Sequence, residues 1–176
     1  MILLEFSRTA PGDFPEALKN FNLLKSTHFD VCVLNTSYKG FGYRKEVHIW
    51  ITSQDYENAN LMILMAYILL GHPEWRKSII KIFALYPKEK LEEQRKKLLK
   101  LIATGRLPIS PGNIDLIPQE ENQNYKAIIE QKSIDADLTI IGFRDKDVSK
   151  GIDLFSGFGD IGNILFVNAD KQKEIV

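Results

Sequence analysis

The sequence predicts an α/β fold with a twisted, mostly parallel β-sheet and helices on both of its faces. Three observations support this prediction. Strand-like segments rich in β-branched and aromatic residues alternate with helical segments from residue 47 onward. The central stretch, Val47–Tyr86, has the pattern strand, helix, strand, which is the βαβ unit of a parallel sheet. Its strands are apolar almost throughout, as is typical of strands covered on both faces.

The N-terminal segment predicts a smaller unit of the same kind. Ile2–Phe6 and Asp30–Leu34 have the composition of strands, and the apolar residues between them recur on one helix face: Phe14, Leu18 and Phe21. We therefore expect a short β-α-β unit over residues 1–35. A polar and aromatic linker at 36–46 then leads to the main α/β domain, residues 47–176.

The helix predicted at Ala59–Leu70 is apolar at every position except Asn60. Gly71 and Pro73 mark its end, because glycine can take a left-handed cap and proline cannot continue a helix. A helix with so little polar face has to be covered on most sides, so we expect Leu64 to be buried. The helix is also too short for a bilayer, which needs about 20 apolar residues. We therefore expect no direct membrane insertion.

The remaining elements alternate up to the C-terminus. An amphipathic helix is expected to begin after Pro87 and to end at Thr104 and Gly105, and a second helix to run from Asn122 to Ile134. The other strands of the main domain are predicted at Ile79–Leu85, Ile114–Ile117, Leu138–Phe143 and Ile164–Val167.

Charge and composition exclude several classes of partner. The 23 basic residues balance the 23 acidic ones, so the chain lacks the basic surface of a nucleic-acid binder. Tyr38–Lys45 alternates aromatic and cationic residues, which single-strand binders also do, but we favour a connector between two α/β units. Met1–Phe6 has no basic start and meets an acid at Glu5, so we expect no signal peptide and an intracellular chain.

No residue pattern indicates an enzyme, a metal site or a cofactor. The three histidines, His28, His48 and His72, have no ligand spacing, and a nucleophile elbow of the form G-x-S-x-G is absent from the sequence. Cys32 lies in mid-strand, where a thiol is a small core residue. Four acidic residues near the C-terminal edge of the predicted sheet could hold Mg²⁺, but we expect them to cap helices and turns: Asp135, Asp137, Asp145 and Asp147.

The segment Gly157–Gly162 spells G-x-G-x-x-G, the pattern of a dinucleotide-binding turn. That turn needs a strand before it and a helix after it, whereas here a strand follows, so we favour a loop. Two phenylalanines, Phe155 and Phe158, stand among small residues in this region. We expect them to be exposed contacts of a two-fold homodimer, with closure of the core under the last strand as the alternative.

Several segments resemble the cytosolic C-terminal domain of cation–chloride cotransporters, the family of the Na-K-Cl cotransporters. The similar residues are a strand with Trp50, the leucine-rich helix Leu61–Leu70, and the sequence His72, Pro73, Trp75 and Arg76, followed by Lys81–Phe83. Ala136–Ile141 and Asn163–Val167 are similar to two later strands of that family. The resemblance covers roughly Val47 to Asp170, and residues 1–35 are similar to an abbreviated form of the preceding α/β half.

This resemblance implies a non-catalytic regulatory and dimerisation domain of a transporter of Na⁺, K⁺ and Cl⁻. Its partners would be a second copy and the transmembrane domain of the same transporter, and its place the cytoplasmic face of the cell membrane.

The β-α alternation is also similar to the universal stress protein fold, which implies a stand-alone nucleotide-binding domain as the alternative. The ATP-binding members carry G-x2-G-x9-G-[ST] after the fourth strand. Aligned on Gly142, that motif meets Asp145 and Phe155 where glycines belong, and only Ser156 fits. We therefore expect no nucleotide cofactor.

Overall fold

The structure is a computed structural model that describes residues 1–10, 12, 14–55 and 57–175, without the side chains of residues 15–17. Its strands and helices follow in the order β1 Ile2–Ser7, α1 Phe14–Lys19, α2 Phe21–Ser26, β2 Val31–Thr36, β3 Glu46–Thr52, α3 Ala59–Leu70, β4 Ile79–Tyr86, α4 Leu91–Thr104, β5 Ile114–Pro118, α5 Tyr125–Ser133, β6 Leu138–Gly142, α6 Ile152–Phe155 and β7 Asn163–Asn168. Short 3₁₀ helices lie at Lys88–Lys90, Pro111–Asn113 and Asp145–Lys150.

The strands form a seven-stranded sheet in the order β1-β2-β7-β6-β3-β4-β5. All neighbouring pairs are parallel except β2 and β7, which run antiparallel with Val33 opposite Phe166. The predicted α/β class with a mostly parallel sheet is therefore confirmed.

Both faces of the sheet are covered by helices, as predicted. On one face, Ile49 and Ile51 of β3 pack with Met62 and Ile63 of α3, and α4 extends this cluster. On the other face, Trp50 belongs to a second cluster with residues of α1, α2, α5 and α6. Successive side chains of a strand point to opposite faces of the sheet. Ile49 and Ile51 of β3 therefore lie in the first cluster and Trp50 in the second.

The N-terminal unit joins the main sheet through the pairing of β2 with β7. The segment between β2 and β3 is held by Asp137, whose carboxylate accepts the backbone N–H groups of Tyr43, Lys45 and Glu46 at 2.8, 2.6 and 2.9 Å. The ring of Phe41 in the same segment packs edge-on against Trp75, with centroids 5.6 Å apart. The division at residues 36–46 thus separates two stretches of chain but not two sheets.

Local details differ from the sequence expectation at several helix ends. The first helical region is two short helices, α1 and α2, that meet at Asn20. Helix α5 begins at Tyr125 because the Asn124 side chain accepts the N–H of Ala127 at 3.3 Å and caps the helix there. Gly71 follows α3 with a right-handed conformation, φ −69°, instead of a left-handed cap.

The burial of α3 is also uneven, which corrects the prediction for Leu64. Met62, Ile63 and Ala66 are fully buried against the sheet, whereas Leu64 is half-buried. On the side away from the sheet, Tyr67 and Ile68 are exposed to 45% and 64%.

Candidate functional site

The carboxyl ends of β3 and β6 lie side by side, and ligands of open α/β sheets bind at such a point. In this chain the side chain of Asp55 occupies the space between the ends of β3 and β6. Its buried carboxylate accepts the backbone N–H and the hydroxyl of Thr52 at 2.8 and 2.7 Å, and burial raises the pKa of Asp55. A Cβ atom at Gly142 would collide with this carboxylate. A side chain of the protein therefore fills the crevice between the two strands.

Two buried asparagines tie the ends of three strands together next to Asp55. Asn58 donates to the Phe143 carbonyl at 2.9 Å and accepts the N–H of Ala169 at 2.8 Å. Asn168 donates to the same carbonyl at 3.0 Å and to the Asp145 carboxylate at 2.8 Å. Two backbone groups at the ends of β6 and β7, the Phe143 carbonyl and the Ala169 N–H, are thus satisfied by side chains.

A polar hollow opens beside this network, between α2 and the loops after β3, β6 and β7. Its charges are mixed: Lys25 lies 3.8 Å from Asp145 and 3.9 Å from Asp170. The Oδ1 atom of Asn168 is buried here without a hydrogen-bond partner among the described residues. The hollow therefore presents charges of both signs.

The loop after β6 lacks the phosphate-binding features of a nucleotide site. Arg144 and Lys150 form ion pairs with Asp147 at 2.7 and 2.8 Å, and the hydrogen bond from Arg144 lowers the pKa of Asp147 to about 2. Two cations of this loop thus face a carboxylate of the same loop. Phe155, where the nucleotide motif needs glycine, is fully buried.

The prediction that Phe155 and Phe158 are exposed dimer contacts is wrong as to exposure. The segment folds back over β7, so that Phe155 is 0% and Phe158 6% exposed. The Phe155 ring lies 4.8 Å from that of Phe166, and the Phe158 ring 5.6 Å from it. Both rings close the core under the last strand, which is the alternative prediction for them.

The glycine-rich loop Gly157–Gly162 is organised by Arg8, which sequence reasoning missed. The Arg8 guanidinium donates to the carbonyls of Gly159, Ile161 and Gly162 at 3.2, 3.0 and 2.5 Å. Its Nε also donates to the Asn35 side chain at 2.9 Å. A phosphate-binding turn points N–H groups at its ligand, whereas here carbonyls point at a cation of the protein. The G-x-G-x-x-G segment is therefore a structural loop, as favoured from the sequence.

The three histidines and the cysteine lie in different environments. His48 is buried between Ser133, 3.0 Å from its Nδ1, and Glu46, 2.9 Å from its Nε2. His28 and His72 are exposed. Burial raises the pKa of the Cys32 thiol to about 12, which makes it unreactive. Over the described parts of the chain, no three His, Cys, Asp or Glu side chains are grouped to hold a metal ion.

The side of α3 that faces away from the sheet is an exposed apolar surface. We call it the α3 outer face and define it by Leu64, Tyr67 and Ile68. Two hollows flank Ile68: one is lined by Leu70, Arg76 and Pro108, the other by Phe41, Pro73 and Trp75. The sequence of α3 predicts an apolar helix but does not indicate which of its sides stays uncovered.

Although α3 is apolar, it has 12 residues. Within residues 1–10, 12, 14–55 and 57–175, none of the helices combines the length and the apolar character that a membrane span requires.

Comparison with known proteins bears on the fold of the chain. No protein-family model and no curated protein matches the sequence. Among solved structures, the cytoplasmic domain of a prokaryotic cation chloride cotransporter is similar, with a TM-score of 0.61 and 18% sequence identity. The match covers 97% of this chain and 65% of that one, so the chain spans about two-thirds of the solved domain. At this identity the likeness shows the fold alone: the chain folds like the cytoplasmic domain of a cotransporter.

Proposed function

We propose that the chain is a non-catalytic regulatory and dimerisation domain of a cation–chloride cotransporter of the Na-K-Cl type, at the cytoplasmic face of the cell membrane. The observation that carries this proposal is the fold likeness over 97% of the chain. The resemblance of Leu61–Leu70 and of the segment from His72 to Arg76 to that family is independent support, because it rests on sequence. Function enters here by analogy with a domain of known context.

The domain would act through packing and rigid-body shifts, with no chemical step of its own. One continuous sheet joins its two units through the pairing of β2 with β7, and a displacement at one edge would pass through these two strands to the other edge. Its partners would be the transmembrane domain of the same transporter and a second copy of the chain.

The proposal is tested in the native organism with an antibody raised against the 176-residue chain. We expect the antibody to detect a polypeptide much larger than 20.2 kDa in the membrane fraction, resistant to a carbonate wash. Deleting the coding region of this domain should alter chloride-dependent uptake of ⁸⁶Rb⁺ in whole cells. A 20.2 kDa protein in the soluble fraction, together with unchanged uptake, would overturn the proposal.

The alternative, a stand-alone nucleotide-binding domain, has its own test. We expect no binding of ATP with Mg²⁺ at millimolar concentration in calorimetric titration, because Asp55 fills the crevice and Phe155 replaces a motif glycine. A dissociation constant in the micromolar range would favour the alternative.

A further inference from the structure

The α3 outer face is an apolar helix surface that this chain leaves in contact with water. We propose that a second copy of the chain docks on it, with the two α3 helices antiparallel across a two-fold axis that passes through the α3 outer face between Leu64 and Ile68. This inference rests on the proposed dimerisation and names the surface that would carry it.

The first argument is the absence of charge on α3. A surface helix of a globular protein normally presents charged side chains to solvent, yet none of the residues Ala59–Leu70 is charged. The single polar one, Asn60, donates to the Lys173 carbonyl at 2.5 Å and so is used within the chain. Tyr67 and Ile68 are the most exposed side chains of the helix. Such a face is typical of an interface core, which is depleted of charge and enriched in tyrosine and other aromatic residues.

The second argument is shape. Ile68 projects between two hollows whose linings include Leu69, Leu70, Pro73 and Trp75. A two-fold interface uses the same patch on both copies and therefore has to be self-complementary. The α3 outer face meets this requirement when the projecting Ile68 of each copy packs on the half-buried Leu64 of the other.

The third argument is charge at the two ends of the face. Glu57 is exposed just before the N-terminal end of α3, where it also lines the polar hollow described above, and Arg76 is exposed beside the C-terminal end of α3, where it lines a hollow with Ile68. Neither side chain forms an ion pair within the part of the chain that the structure describes. Antiparallel helices would bring Glu57 of each copy near Arg76 of the other, whereas parallel helices would bring like charges together. The same antiparallel register places Leu64 opposite Ile68.

Long-range electrostatics does not oppose this association, since the formal net charge of the chain is 0 at pH 7. The antiparallel arrangement also places the dipoles of the two helices in the favourable opposite sense.

The first test compares two exposed apolar positions by sedimentation equilibrium of the 176-residue chain. Ile68→Glu introduces a charge on the α3 outer face, and Leu23→Glu is the matched control on α2, where the side chain is 62% exposed against 64% for Ile68. We expect the wild type and Leu23→Glu to be dimers at tens of micromolar, and Ile68→Glu to dissociate with at least a tenfold higher dissociation constant. Melting curves establish that both variants are folded.

A wild type that stays monomeric at 100 µM would overturn the inference, and so would an Ile68→Glu variant that dimerises like the control.

The second test concerns the register. Glu57→Arg and Arg76→Glu should each weaken the dimer about tenfold at low salt, and the double variant should restore the dissociation constant to within about threefold. A double variant weaker than either single variant would overturn the antiparallel register. These dimerisation tests can fail independently of the membrane-fraction experiment. A chain that belongs to no transporter could still dimerise through Ile68, and a cotransporter domain could fail to dimerise through it.

Discussion

At the scale of single residues, Arg8 connects parts of the chain that are far apart in sequence. Its guanidinium reaches the carbonyl of Gly159, 151 residues away, and those of Ile161 and Gly162. The planar fork of arginine suits several acceptors at once, which a lysine ammonium does less well. Burial lowers the pKa of Arg8, in keeping with a guanidinium partly removed from water. Nothing in the sequence around Arg8 indicates this contact, because it depends on where β1 lies relative to the loop before β7.

We expect Arg8→Ala to lower the free energy of unfolding by about 2 kcal/mol, because the loop carbonyls lose a charged donor. Urea denaturation at pH 7 measures the change. Lys100→Ala, at an exposed position of α4, is the control and should change stability by less than about 0.5 kcal/mol. Equal stability of the Arg8→Ala and control variants would show that the loop keeps its conformation without the guanidinium.

His48 is the second residue with a role that the sequence does not reveal. Trp50 donates its indole N–H to the Ser133 hydroxyl oxygen at 2.9 Å, which leaves the hydroxyl proton free to be donated to His48. The other ring nitrogen of His48 then donates to Glu46, which also binds Lys81 at 2.7 Å. A neutral imidazole satisfies this whole chain of hydrogen bonds.

Burial lowers the pKa of His48 from its ordinary value of about 6.5, although the hydrogen bond to Glu46 acts in the opposite direction. The unfolded chain therefore binds the proton more readily than the folded one. Stability should be constant with respect to His48 above pH 6.5 and should fall as the pH drops below it, by at most about 1.4 kcal/mol per pH unit.

We expect His48→Gln to remove this contribution, so that the loss of stability between pH 7 and pH 5 is smaller than in the wild type. Urea denaturation over this pH range is the measurement. His72→Gln changes an exposed histidine and should keep the wild-type profile. If the dependence of stability on pH is the same in His48→Gln as in the wild type, groups other than His48 cause it.

At the scale of elements, α3 shows what the sequence can and cannot predict. Its bounds, Ala59–Leu70, agree with the expectation, because the apolar stretch is flanked by clear start and stop residues. Its orientation could not be predicted, since a helix that is apolar on all sides has no polar stripe to indicate solvent. The contacts with β3 and β6 decide which side is buried, and they place Ile63 inside and Ile68 outside.

These two isoleucines allow a comparison within one helix. Ile63→Ala should cost about 2–5 kcal/mol of stability, since it removes buried methyl groups and leaves a cavity. Ile68→Ala should change the stability of the monomer by less than about 0.5 kcal/mol. Denaturation at a low protein concentration, where a dimer dissociates, isolates the monomer. A large loss in Ile68→Ala under these conditions would mean that α3 is packed differently.

At the scale of the whole molecule, the antiparallel pairing of β2 with β7 joins two units that the sequence predicts separately. The positions of the strands along the chain could be predicted from the β-branched and aromatic composition of the segments and from the spacing of their apolar residues. The pairing of the two units could not be predicted, because both β2 and β7 are buried and apolar and carry no signal of partner or direction. The aromatic cluster crosses this junction: Phe6, Phe14 and Phe21 from the first unit pack with Phe143, Phe155 and Phe166 from the second.

A shared core predicts that the two units unfold together. Phe21 is 2% exposed, and its ring lies 5.9 Å from that of Phe143 in the second unit. We expect Phe21→Ala to lower the free energy of unfolding by about 3–5 kcal/mol, a large part of the roughly 5–15 kcal/mol of a typical domain. Both tryptophans of the chain, Trp50 and Trp75, lie in the second unit, so their fluorescence reports on that unit alone. If the units are coupled, the fluorescence transition shifts to lower urea by the same amount as the circular dichroism transition. If instead the fluorescence transition stays at its wild-type position while an earlier circular dichroism phase appears, residues 1–35 unfold as an independent unit.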